Sequence, residues 1–190
     1  YVKTDKPQKI IVEHTSKNPI SPVTIGQARN PILGDSIANT LKSRGNIVYR
    51  HFYVDDVGRQ TAVVAYGYEK LGKPKLEGKL DHQIGAIYSV TSCIIEINRL
   101  KREIEKAKQV SALDEVSQYQ KQLDEWVSVA AELEEKFPTL FAQLSEKIGK
   151  REDLETEVNS LNCAYESGDS KARSLIREVC QLCLDGIKET

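Results

Sequence analysis

The chain has 190 residues, 39% hydrophobic and 29% charged, which suits a packed core and argues against wholesale disorder. Its net charge of −1 hides a division: residues 1–91 carry 13 Lys and Arg against 8 Asp and Glu, residues 92–190 carry 14 against 20. The basic first half suits an anionic ligand; the acidic second half argues against a broad grip on DNA.

No run approaches the eighteen or so apolar residues of a membrane span, so no membrane partner is expected. Residue 1 is Tyr and the chain holds no Met, which is expected of a piece processed or excised from something longer. Four cysteines, at 93, 163, 180 and 183, are too sparse for a disulfide scaffold and point to a reducing, cytoplasmic setting.

In chain order, Ile10–Val12 is a short continuous apolar run, as in a buried strand. Ile32, Leu33, Ile37 and Leu41 fall at helical spacing, and Arg44-Gly45 ends that helix with a residue suited to a left-handed terminus. Asn46–Val54 reads as a second strand, parallel to the first through a right-handed crossover. Gln60–Leu71 reads as a helix and KLGKPKLEGKLD as a loop. The composition then changes near Leu80–Ser92, from β-branched runs broken by Gly and Pro to charge-laced helical patterns. Four apolar sets recur at three- and four-residue steps: Ile94 to Ala107, Leu113 to Phe137, Leu154 to Leu161, and Leu175 to Ile187. Breaks are expected at Val110-Ser111, Phe137-Pro138, Gly149 and Ser167–Ser170, giving an antiparallel bundle or long hairpin. The fold class is thus α/β followed by an all-helical part.

Thr24-Ile25-Gly26-Gln27 lies between the first strand and the first helix. There a residue without a Cβ lets backbone N–H groups approach an anion, and Arg29 adds a charge. A single glycine at such a turn is a weak signal, and by itself it reads more readily as a plain connection. Cys180-x-x-Cys183 lies on an apolar helical pattern without a second such pair, so buried core thiols are expected and no metal. Asp55-Asp56, at a strand end before Gly58, is expected to cap the next helix or hold a polar ligand.

The ordered pieces Val12-Glu13-His14-Thr15-Ser16, Asn18-Pro19, Pro22, Ile25-Gly26, Arg29-Asn30, Gly34-Asp35 and Tyr53–Gln60 resemble the start of the catalytic domain of arginyl-tRNA synthetases, most of all archaeal-type members. AYGYEKLG and LDHQIGAIYSVTS continue the likeness more loosely. The resemblance implies a partial Rossmann-type catalytic domain over residues 1–91 and a helical insert over 92–190. It also implies arginine, ATP (with Mg2+) and tRNA-Arg as substrates. Glu13, Ser16 and Asn18 match the family's arginine-holding positions, and a cationic amino acid does need a carboxylate with polar acceptors at a strand end. Without the resemblance, Glu13 reads as a solvated strand-end carboxylate. Pro22, Gly26, Arg29 and Asn30 match the ATP-handling frame.

The departures are at the chemistry. The family signature His-Ile-Gly-His is Thr24-Ile25-Gly26-Gln27 here, so two hydrogen-bonding residues stand at the catalytic positions and neither carries positive charge. Each lost preorganised donor costs about 3 kcal/mol of transition-state stabilisation, so adenylation by this chain is expected to be very slow. Pro31 either begins the helix, with Asn30 as N-cap, or lies inside it as a kink. The second class I signature, Lys-Met-Ser-Lys, does not occur. The sequence therefore reads as part of an arginine–tRNA ligase, with a non-catalytic paralogue that binds arginine, nucleotide or protein as the alternative.

Overall fold

The structure, a computed structural model, describes residues 3–149, 151 and 153–189. Two five-residue parallel strands, β1 (Lys9–Glu13) and β2 (Ile47–His51), pair from Lys9↔Ile47 to Glu13↔His51. The α/β part is a half-domain of the Rossmann type: one β-α-β unit, with an isolated bridge from Lys17 to Val54 extending its strands. The second strand is shorter than the apolar pattern of Asn46–Val54 suggests, because residues 52 and 53 leave the ladder before the bridge re-forms.

Helix α1 (Ile25–Ser43) joins the strands and runs unbroken through Pro31. Asn30 is therefore not its N-cap; Thr24 is, and Thr24 N–H donates to Gln27 Oε1 at 3.0 Å. The helix continues across the proline with its sheet-facing side closely packed. Gly34 and Ala38 are buried, and a Cβ on Gly34 would fall inside the His14 side chain. Proline in a helix interior costs roughly 3 kcal/mol, so this contact and the Thr24 cap must offset it. The helix ends at Arg44 with Gly45 at φ 93°, as the sequence predicts.

Helix α2 (Arg59–Lys70) buries eight consecutive residues, Thr61–Tyr68, which only a helix enclosed on all sides does. It is enclosed by α3 (Leu80–Gln109), α5 (Pro138–Ile148), α6 (Leu154–Ser167) and α7 (Ser170–Lys188). Helix α4 (Leu113–Lys136) returns along α3 as a hairpin, turned at Ser111 with φ 55°. The expected breaks at 110–111, 137–138, 149 and 167–170 all fall between helices.

Two features differ from expectation. Helix α3 begins at Leu80, well before Ile94, and passes through residues 91 and 92 without interruption. Helix α5 has no counterpart among the four predicted apolar sets; its Leu144 and Ile148 are fully buried all the same. The core lies in two adjoining clusters on either side of α2, one centred on Ile84 and Ile176, the other on Ile95 and Leu154. Cys93, Cys180 and Cys183 are buried in the helical part, as expected for core thiols, and Cys163 is exposed. Among the described residues no group of three or more His, Cys, Asp or Glu could hold a metal ion. No helix of the described residues is long and apolar enough to cross a membrane.

Candidate functional site

The C-terminal ends of the two strands and the first turns of α1 define one corner of the molecule. A shallow cleft of about 320 Å³ opens there, lined by Val12, Glu13, His14, Ser16, Asn30, Leu33, Gly34 and Ile37. It brings Glu13 and Ser16 together with Asn30, although seventeen positions separate Glu13 from Asn30. The carboxylate of Glu13 is exposed at the last residue of β1. Ser16 Oγ accepts from Tyr53 N–H at 2.8 Å, which ties the chain leaving β1 to the chain leaving β2.

Asn18 does not line this cleft. Its amide donates to Gln60 Oε1 at 3.1 Å and joins the loop after β1 to the first turn of α2.

The turn over residues 18–24 leads to the N-terminus of α1. The amides of Ile25 and Gly26 have no carbonyl partner within the helix, and the helix dipole makes this end positive. A Cβ on Gly26 would meet only Thr24 Oγ1, at 3.9 Å, so the space over these amides is open. Thr24, Gln27 and Arg29 are all exposed around it. The arrangement fits an anion held by hydrogen bonds. It fits less well a developing phosphoryl charge: neither side chain at 24 or 27 is cationic, and the Gln27 carbonyl is already engaged on Thr24 N–H.

Pro22 and Thr24 face away from the first cleft, into a second of about 380 Å³ against the helical part, where His82, Gln83 and Lys136 also lie. The predicted ATP-handling residues are therefore divided, with Asn30 on the strand side and Pro22 on the helical side.

The motif Tyr53–Gln60 behaves as a joint. Arg59 makes a paired contact with Glu155, Nε to Oε1 at 2.8 Å and Nη2 to Oε2 at 2.9 Å, and reaches Glu96 at 3.3 Å. The Arg59 hydrogen bonds hold the Glu155 carboxyl below its ordinary range despite partial burial. Asp56 caps nothing: Gly58 precedes α2 with φ 103°, and Asp56 Oδ2 accepts from Tyr165 OH at 2.6 Å. A helix N-terminus three residues on made capping the natural expectation. The partner is instead 109 positions away, and no local pattern encodes it.

Lys17 carries no signal in the sequence, yet only 9% of it is exposed and it sits under the turn. Burial lowers its pKa, while Cys183 and Asp81 act the other way.

Comparisons with known proteins point to one family. The profile of the family described as "tRNA synthetases class I (R), catalytic domain" matches residues 1–125. The chain is 44% identical over 190 residues to the arginine–tRNA ligase of Sulfolobus acidocaldarius, covering 99% of this chain and 30% of that protein. It is 44% identical over 184 residues to that of Pyrobaculum aerophilum, covering 95% and 29%. The Aeropyrum pernix ligase is 36% identical over 195 residues, covering 99% and 28%. The chain thus spans less than a third of the length of these relatives. With two thirds of its residues matched by the family profile, the chain belongs to the class I arginyl-tRNA synthetase family, as part of the catalytic domain.

Proposed function

We propose that this chain forms the arginine-binding corner and the ATP-facing turn of an arginine–tRNA ligase, whose full reaction activates arginine with ATP and passes it to tRNA-Arg. The observation that carries this reading is the cleft between β1 and α1. Its lining includes Glu13, exposed at the end of β1, and Ser16, whose hydroxyl is fixed by Tyr53 N–H, with Asn30 from the second turn of α1; the open N-terminus of the same helix lies one turn before Asn30. A guanidinium pairs well with such a carboxylate, and a phosphate with such a helix end. Asn18 contributes by holding the loop against α2.

In this arrangement Glu13 neutralises the substrate side chain and Ser16 orients it. The amides of Ile25 and Gly26, with the Thr24 hydroxyl and Arg29, receive the nucleotide phosphates, and magnesium arrives with the nucleotide. Activation joins the arginine carboxylate to the α-phosphate and releases pyrophosphate, so charge grows on the phosphate oxygens. Thr24 and Gln27 meet that charge with hydrogen bonds alone.

Calorimetric titration of the 190-residue chain with arginine and with ATP tests the reading. Arginine binding that falls at least tenfold in Glu13→Gln supports it, since a lost charge-assisted pair is worth about 1.5 kcal/mol or more. Absence of binding by either ligand contradicts it. The engagement of Gln27 on the helix cap favours a second reading, in which the chain binds arginine or a partner without activating anything. Arginine binding with no ATP binding would select that one.

A further inference from the structure

The turn that presents Thr24 is held from below by a side chain that the arginine and ATP frame does not use. Lys17 Nζ donates to Ser21 O at 2.6 Å and to Pro22 O at 2.9 Å, with Ser21 Oγ at 3.5 Å. Its backbone is fixed as well, through the parallel bridge to Val54. An ammonium aimed at two consecutive carbonyls sets the orientation of the peptide planes immediately before Thr24. Two carbonyls outside any helix or strand need a donor if they are not to stay unpaired.

The socket around Lys17 is built by the helical part. Cys183 of α7 donates its thiol to the same Ser21 O, at 3.7 Å. Asp81, in the first turn of α3, is completely buried. Its Oδ2 pairs with Lys79 at 3.2 Å, and its Oδ1 has no hydrogen-bond partner among the described residues. Helix α7 approaches so closely that a Cβ on Gly186 would overlap the Asp81 backbone. The turn lies directly on α3 in the same way, since a Cβ on Gly85 would come within 2.9 Å of Pro22 Cδ. A buried ammonium is tolerated where carbonyls accept from it and the charge of a nearby carboxylate, Asp81, favours it.

We propose that Lys17 is a positioning residue: it clamps the Ser21–Pro22 turn onto α3 and α7, and so sets the geometry in which Thr24 and the N-terminus of α1 meet a phosphate. The clamp deepens the reading of this turn as nucleotide-facing and rests on it for its purpose. The clamp itself is measurable without nucleotide. It also gives the helical part a direct mechanical hold on the turn.

Hydrogen exchange of the 190-residue chain and its Lys17→Met and Lys17→Arg variants tests the clamp, since Met keeps the side-chain length and removes every donor. Amides of residues 20–28 are expected to exchange on the order of tenfold faster in Lys17→Met, with α3 and α7 unchanged. Lys17→Arg, which keeps charge and donors, is expected to recover most of the protection. Alkylation of Cys183 should also quicken in Lys17→Met, because the turn covering it is released. Equal exchange at residues 20–28 in wild type and Lys17→Met would overturn the proposal. Equal acceleration throughout the helices would overturn it too, by making Lys17 a general core residue. ATP titration of the same variants is scored separately. If wild type binds no ATP yet Lys17→Met frees the turn, the clamp stands and the nucleotide reading falls.

Discussion

Among the described residues, ten of the fourteen exposed large hydrophobic side chains lie between Ile11 and Val57, including Ile25 at 94%. The large side chains that are fully buried lie between Val63 and Val179. One region of the molecule thus closes its core and the other leaves its apolar faces open. The difference follows from layering. Helix α2 is covered on all sides by other helices. The two-stranded sheet has α1 on one face and leaves Ile11, Ile47 and Tyr49 uncovered on the other. A two-stranded unit with one covered face is at the margin of independent stability. The candidate ligand residues therefore stand on the weaker region, and the stronger region holds them through Asn18–Gln60, Asp56–Tyr165 and the Lys17 socket.

The largest effect should come from breaking the closed core. Leu100→Ala is expected to lower unfolding free energy by about 2–5 kcal/mol in a denaturant titration, and Ile37→Ala on the open face of α1 by about 0.5 kcal/mol or less. Similar losses from the two would remove the contrast. Gly34→Ala should act next, through the His14 side chain. Overpacking of this kind costs about 1–3 kcal/mol, and here hydrogen exchange should show it confined to β1, α1 and β2.

The thiols give a pH test of the closed region. Burial raises Cys93 and Cys183 to about 11 and Cys180 to about 12, against an ordinary 9.0. With folded values above unfolded ones, the stabilisation is complete below pH 9 and is lost as pH rises toward 11. At pH 8, iodoacetamide should therefore label Cys163 first, with the other three following only on unfolding.

A smaller effect than either core change belongs to the joint. Glu155→Gln should cost roughly 1 kcal/mol or less, because Arg59 is 39% exposed and solvent screens the pair. The lowered pKa of Glu155 places that stabilisation above the ordinary carboxylate range, and it is lost as pH falls.

Much of the frame was legible in the sequence because it is local. Gly45 ends α1 where a left-handed residue can, and the helix breaks fall where Gly, Pro and Ser interrupt the apolar spacing. The order of the pieces from Val12-Glu13-His14-Thr15-Ser16 through Arg29-Asn30 to Tyr53–Gln60 was enough to indicate the family. What stayed hidden is held together by distant partners. Pro31 reads either as a helix start or as a residue inside a kinked helix, and the choice rests on packing such as that of Gly34 against His14, which no local pattern encodes. Asp56 reads as a helix cap or a holder of a polar ligand until Tyr165 takes its oxygen. Lys17 has no signal of its own in the sequence, because its socket comes from α3 and α7, more than sixty positions away.

Arginine-dependent ATP–pyrophosphate exchange is the sharpest test of the proposal that the turn has the family's frame without the charge that would make the chemistry fast. The 190-residue chain is predicted to show no detectable exchange. Robust exchange with Thr24 and Gln27 in place would contradict the proposal.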